Sequence, residues 1–267
     1  MSGTLRPIAV ITGASAGIGV ALARVFAREG HQLALVARRE DRLRTLADEI
    51  AAKGPRRPIV IADDLLKPGS SERIRNALAE HGAEPQYIVN NAGFGLFGPA
   101  ANRDRNEQLA MIDLNVRALT ELSLAFVDSL ERHKGGILNV GSMAGFLPGP
   151  DMAIYYATKA YVLSFSEALH SELKPRGVRV TVVCPGPVPT EFAARAGLKE
   201  GLAPGMLTQT AEQVAEVGFR GLLRGERVVI PGLMNRVALL GIRAAPRAAL
   251  LKVIGATQSR RRSAQGV

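Results

Sequence analysis

The chain has no tryptophan, aromatic residues make up 4% of it, and Cys184 is its lone cysteine. A single cysteine cannot close an intramolecular disulfide, so a reducing, cytoplasmic setting is expected. No long uncharged apolar run occurs, and no membrane-spanning helix is expected. Residues 1–7 lack the basic-then-apolar pattern of a secretory leader. The four histidines (His31, His81, His133 and His170) lack metal-ligand spacing, so no metal site is expected. Few aromatics and no base-reading motif argue against nucleic acid as a partner, despite a net charge of +10.

The scarcest feature is acid at one end. After Glu226 no acidic residue occurs, yet seven arginines and one lysine follow, so eight of the ten net charges sit in the last 41 residues. The chain therefore divides into a nearly neutral part, residues 1–232, and a basic, partly apolar extension, residues 233–267.

Within the first part, short apolar runs alternate with segments of helical period. Ile8–Ile11, Gln32–Ala37, Ile59–Ala62, Tyr87–Val89, 137–141, 178–184 and 227–230 have strand character. Helices are expected over 18–29, 40–52 (ending at Gly54-Pro55), 70–80, 103–133, 153–174 and 211–223. The strands do not alternate apolar with polar residues, as expected for strands buried on both faces. This pattern predicts one doubly wound, Rossmann-type α/β domain with a central parallel sheet flanked by helices on both faces. Residues 186–209, rich in proline and glycine, are long for a connection and are expected to form a substrate loop.

The first strand ends in Thr12-Gly13-Ala14-Ser15-Ala16-Gly17-Ile18-Gly19. Glycines in a strand-to-helix turn let backbone N–H groups approach a pyrophosphate, although an ordinary tight turn has the same composition. This T-G-x3-G-x-G resembles the opening motif of the short-chain dehydrogenase/reductase family. Further motifs follow in that family's order: Asp64-Leu65 after the third strand, Asn90-Asn91-Ala92-Gly93 after the fourth, Asn115 in mid-helix, Ser142 after the fifth, Tyr155 and Lys159 as Y-x3-K, and Pro185-Gly186 followed by Val188 and Thr190. The resemblance implies a nicotinamide cofactor held by Gly13, Ser15, Gly17, Ile18, Gly19, Asp64, Leu65, Asn91, Ala92, Gly93, Tyr155, Lys159, Pro185, Gly186, Val188 and Thr190. It implies catalysis by Ser142, Tyr155, Lys159 and Asn115.

Four tyrosines and seven lysines predict roughly 0.1 Y-x3-K pairs by chance, and Tyr155–Lys159 is the one present. On a helix the two share a face, so the ammonium is expected to lower the phenol's pKa toward working pH. Ser142 is expected to donate a hydrogen bond to the substrate oxygen. Tyr156 is expected to pack, and Cys184 to be an inert buried thiol.

Cofactor choice turns on the end of the second strand, where Ala37 is followed by Arg38 and Arg39 instead of an acid. Arginine accommodates a 2′-phosphate, so NADP(H) is expected over NAD(H). Ala16, where many NADP-preferring relatives carry a basic residue, points the other way, and a solvated helix start would look the same. The expected activity interconverts a small-molecule carbonyl, hydrophobic or acyl-chain, with a secondary alcohol, in a homodimer or homotetramer. The alternatives are a non-catalytic NADP(H) sensor and a membrane-surface binding protein. For the extension three readings stay open: a cap over the pocket or packing between subunits, contact with an anionic membrane surface, or a disordered basic end at Arg260–Arg262.

Overall fold

Seven apolar segments become parallel strands: β1 (Arg6–Thr12), β2 (Leu33–Ala37), β3 (Ile59–Ala62), β4 (Ala83–Asn90), β5 (Gly136–Val140), β6 (Arg179–Val183) and β7 (Val228–Val229). In this computed structural model, which describes residues 5–54, 56–198 and 205–265, they form one sheet in the order β3-β2-β1-β4-β5-β6-β7. Residues 1–4, Pro55, residues 199–204 of the expected substrate loop and residues 266–267 lie outside the described residues. The connecting helices are α1 (Gly17–Arg28), α2 (Glu40–Ala51), α3 (Ser70–Glu80), α4 (Arg105–Ile112), α5 (Leu119–Ala125), α6 (Val127–Arg132), α7 (Ala153–Leu173), α8 (Glu191–Ala196) and α9 (Ala211–Arg224), with α10 (Leu233–Ala244) and α11 (Arg247–Gln265) beyond the last strand.

The sheet's two faces carry separate cores, because successive strand residues point to opposite sides. On β1, Ala9 and Ile11 join Leu22, Phe26, Leu43, Phe219 and Leu222 on the side of α1, α2 and α9. Ile8 and Val10 join Ile74, Leu122, Leu130 and Leu169 on the side of α3, α5, α6 and α7. The strand order reverses between β1 and β4, and their register (Ile11 opposite Val89) brings the ends of both strands to one edge. In open α/β sheets that switch point is where the crevice for a ligand opens.

Two segments differ from the sequence expectation. The helix expected over 103–133 is broken into α4, a π-helical stretch Asp113–Ala118, α5 and α6. Helical periodicity continues through it, but the side-chain clamp of Asn115 and the departure of Phe126 from helical backbone (φ −118°) are set by tertiary contacts. The substrate loop contains a helix, α8, capped by Thr190 at its start and by left-handed Gly197 at its end.

Candidate active site

The glycine turn after β1 is built for close backbone approach. A Cβ on Gly19 would stand 2.2 Å from the Gly13 carbonyl oxygen, and one on Gly13, whose φ is +65°, would stand 2.7 Å from Asn91 Nδ2. At the start of α1, Ala16 offers no side-chain cap and the first turn holds no acid, so the helix's free N–H groups suit an anion. Thr12 and Asn91 lock this turn to the end of β4. Thr12 Oγ1 donates to Val89 O (3.1 Å) and accepts from the backbone N–H groups of Asn91 (3.0 Å) and Ala92 (3.1 Å). Asn91 Nδ2 donates to Thr12 O at 2.9 Å and Gly13 O at 3.2 Å.

A second clamp fixes the segment after Gly93. Asn115, fully buried on the π-helical stretch, donates to Phe94 O (2.9 Å) and Thr158 Oγ1 (3.1 Å) and accepts from Phe94 N at 3.1 Å. It thereby ties the end of β4 to α7. Beneath lies a buried network: Asn90 Nδ2 donates to Ser123 Oγ and Asn139 Oδ1, and Asn139 Nδ2 to Ser166 Oγ, each at 2.9 Å. Asn139, Ser123 and Ser166 were not among the sequence candidates, since isolated Asn and Ser residues carry no spacing signal.

Ser142, Tyr155 and Lys159 meet beyond the ends of β5 and β6. Ser142 begins a short 3₁₀ turn, Met143–Phe146, and its Oγ accepts from Ala144 N at 3.1 Å. A hydrogen bond between Ser142 and Tyr155 draws the phenol's pKa down, but burial wins and pushes it up to about 12. The Lys159 Nζ donates to Val140 O at 2.8 Å and stands 5.9 Å from the Tyr155 ring centroid. Burial holds that ammonium down at about 8. The expected lowering of the phenol by Lys159 is thus corrected: the ammonium is turned to a backbone carbonyl, and desolvation dominates the phenol's pKa.

The ring of Phe192, on α8, lies 5.2 Å from that of Tyr155. A Cβ on Gly95 would meet Phe192, Tyr155 and the Met152 methyl within 3.3 Å, so these side chains form one apolar wall. Cys184 is fully buried and its thiol is pushed up to about 12 by desolvation, as an inert thiol requires.

At the adenosine end, Arg39 donates to Ser15 Oγ from both Nε (3.2 Å) and Nη2 (3.1 Å), and from Nη1 to Glu191 at 2.8 Å. Arg42 also pairs with Glu191. Arg38 is exposed beside them. Glu191 thus spans from the substrate loop to the helix after β2, and holds its own carboxyl below the ordinary range through these two arginines. Sequence reading missed it, because its partner is 152 positions away.

The remaining sequence candidates have supporting places. Asp64 accepts from Leu66 N at 3.1 Å, and Leu65 is buried in the core on the α3 side. Ile18 and Val188 pack on the core of the α1 side. Pro185 O accepts from Met143 N at 2.9 Å, and Thr190 lies against Gly17. Among the described residues no cluster of three or more His, Cys, Asp or Glu could hold a metal.

The basic extension is helical and docks on its own domain. Asn235 on α10 donates to Gln209 Oε1 (2.8 Å) and Pro231 O (3.0 Å), and a Cβ on Gly186 would stand 2.7 Å from its Nδ2. Arg262 on α11 pairs with Asp151 at 2.9 Å, and Gln258 hydrogen-bonds the Tyr156 phenol. The disordered end considered for Arg260–Arg262 is replaced by helix, because Asp151 and Tyr156 supply partners far away in sequence. No helix among the described residues is long and apolar enough to cross a membrane.

A family model described as short chain dehydrogenase matches residues 7–201. Sulfoacetaldehyde reductase 2 of Chromohalobacter salexigens is 36% identical over 223 residues, spanning 80% of this chain and 88% of that protein. Among solved structures, a short-chain dehydrogenase from Sphingobium yanoikuyae in complex with NADPH is 35% identical, with a TM-score of 0.77 over 89% of this chain and 93% of that one. A 3-ketoacyl-(acyl-carrier-protein) reductase from Brucella melitensis complexed with NADH is 26% identical, with a TM-score of 0.74 over 85% of this chain and 96% of that one. The parallel sheet with its switch point, the glycine turn, and the matched span of more than half the sequence agree: the chain belongs to the short-chain dehydrogenase/reductase family of oxidoreductases.

Proposed function

We propose that this protein is an NADP(H)-dependent oxidoreductase interconverting a hydrophobic ketone or acyl-chain carbonyl with its secondary alcohol. The observation that carries the reading is the meeting of Ser142, Tyr155 and Lys159 beside a turn whose bare backbone suits a pyrophosphate. Gly13, Gly17, Gly19 and the N-terminus of α1 would hold the pyrophosphate. Arg38, Arg39 and Ser15 would hold the 2′-phosphate, and Lys159 the ribose near the nicotinamide. NADPH, when bound, would supply hydride to the carbonyl carbon. Tyr155 gives its phenolic proton to the carbonyl oxygen, so hydride and proton together make the alcohol, and the reverse direction returns both. Ser142 donates a hydrogen bond to that oxygen and stabilises the charge gathering on it. Lys159 and Asn115 sustain re-protonation of Tyr155, Asn115 by holding the segment 93–95 in place.

The apolar wall of Phe192 and Met152 supports a hydrophobic substrate. Leu109, Ile112, Leu124 and Tyr161 are exposed on α4, α5 and α7, a face of mixed charge that suits self-association into a homodimer or homotetramer. The lone buried thiol accords with a cytoplasmic setting. Steady-state kinetics with each cofactor, across ketones, ketosteroids, 3-oxoacyl esters and quinones, tests the reading. A kcat/KM at least tenfold higher with NADPH than with NADH is expected; a higher value with NADH overturns the cofactor assignment.

A further inference from the structure

Helix α10 is amphipathic in the inverted sense. Leu233, Val237 and Leu240 recur at i, i+4 and i+7, which places them on one stripe of the helix. That stripe faces outward: Leu233 is 75% exposed, Val237 52% and Leu240 68%. The opposite side carries Asn235 and Leu239, buried at 2% and 5%, and Asn235 fastens the helix to Gln209. Met206, on the short turn that α10 packs against, is 70% exposed. Single exposed leucines are ordinary, but three large apolar side chains in one outward stripe of a short helix mark a contact surface.

The charge of the extension says what the stripe meets. Arg236 flanks it, and Arg247, Lys252 and Arg260 are exposed on α11, the helix that follows. No acidic side chain follows Glu226 within the extension, whose Arg262 pairs with Asp151 of the domain. Two copies pressed together through this face would set like charges against each other, whereas the α4–α7 face has acids and bases paired. At 12 residues, α10 is about 18 Å long, well short of the roughly 30 Å hydrocarbon core, so it suits lying in an interface and not spanning it. We propose that α10, with the basic residues of α11, docks this protein on the surface of an anionic phospholipid bilayer, the leucines entering the headgroup boundary and the arginines meeting lipid phosphates. Lipid binding needs no turnover, so the inference stands or falls apart from the proposed reaction.

Flotation of the full-length protein with phosphatidylglycerol vesicles and with phosphatidylcholine vesicles tests it. Binding to phosphatidylglycerol at 0.1 M salt at least tenfold tighter than to phosphatidylcholine is expected, weakening as salt is raised. The double variant Val237→Glu/Leu240→Glu, both positions being exposed, is expected to lose that binding at least tenfold while keeping its circular dichroism spectrum and melting temperature. No binding to phosphatidylglycerol, or equal binding to both lipids, overturns the proposal. So does a fall of the variant to a smaller oligomer in sedimentation, which would make the stripe an interface between copies of this chain.

Discussion

The floor of the candidate active site and the C-terminal extension, its candidate roof, are built on opposite plans. The floor, at the ends of β1, β4, β5 and β6, is held by side chains bonded to backbone: Thr12, Asn91, Asn115 and Lys159 each fix a strand end or a loop to a neighbouring element. Its apolar residues are inside. The roof, residues 233–265, rests on few contacts, with Asn235, Gln258 and Arg262 among them, and turns large apolar side chains outward. The contrast separates two demands: chemistry needs groups held within fractions of an ångström, while a cover that admits substrate must yield.

Breaking the floor at Tyr155, the proposed proton donor, should have the largest effect. Tyr155→Phe is expected to lower kcat by about 10²–10⁴-fold, the range for a positioned acid or base. NADPH binding, followed by fluorescence titration, should change less than threefold. Turnover that survives intact would instead favour a non-catalytic sensor of the cofactor.

Substitution in the roof should act mainly on substrate binding. Asn235→Ala removes donors to Gln209 and Pro231 from a buried site, where a lost hydrogen bond costs about 1–3 kcal/mol. A severalfold rise in KM for the carbonyl substrate is expected, with kcat altered less. An equal fall in kcat with KM unchanged would mean that the roof takes part in positioning the reacting groups.

The smallest effect is on stability against pH, and it belongs to the floor alone. Lys159 is held at about 8 against an ordinary 10.5, so between these values the unfolded chain keeps a proton that the folded chain has released. Folding stability therefore rises with pH across that window. Tyr155, pushed from 10 to about 12, works in reverse: the folded chain keeps the proton there, and stability falls from pH 10 to 12. The melting temperature of the native chain minus that of Lys159→Met should increase between pH 8 and 10.5. A flat difference would show that Lys159 is not desolvated.

How much was legible beforehand differs along the chain. The strands were readable because burial on both faces demands continuous apolar runs such as Ile8–Ile11. The glycine turn was readable because no other residue permits its geometry, as the 2.2 Å approach at Gly19 shows. Tyr155 and Lys159 were readable because helical spacing puts i and i+4 on one face. The sign of the shift on Tyr155 was not: spacing reveals a neighbouring ammonium, but neither its turn toward Val140 nor the loss of water around both groups.

Local sequence thus determined the sheet, the glycine turn and the pairing of Tyr155 with Lys159 on one helix face, since each rests on periodicity or on short-range backbone geometry. Only the tertiary structure decided what depends on partners far apart in the chain. Asn115 became the clamp on Phe94, Glu191 reached Arg39, and Arg262 found Asp151, each through contacts that no local pattern encodes. The basic extension, which composition left between three readings, is helical and docks on its own domain with Leu233 and Leu240 outward. Which face of α10 is buried is settled by Asn235 and Leu239 finding space against the domain.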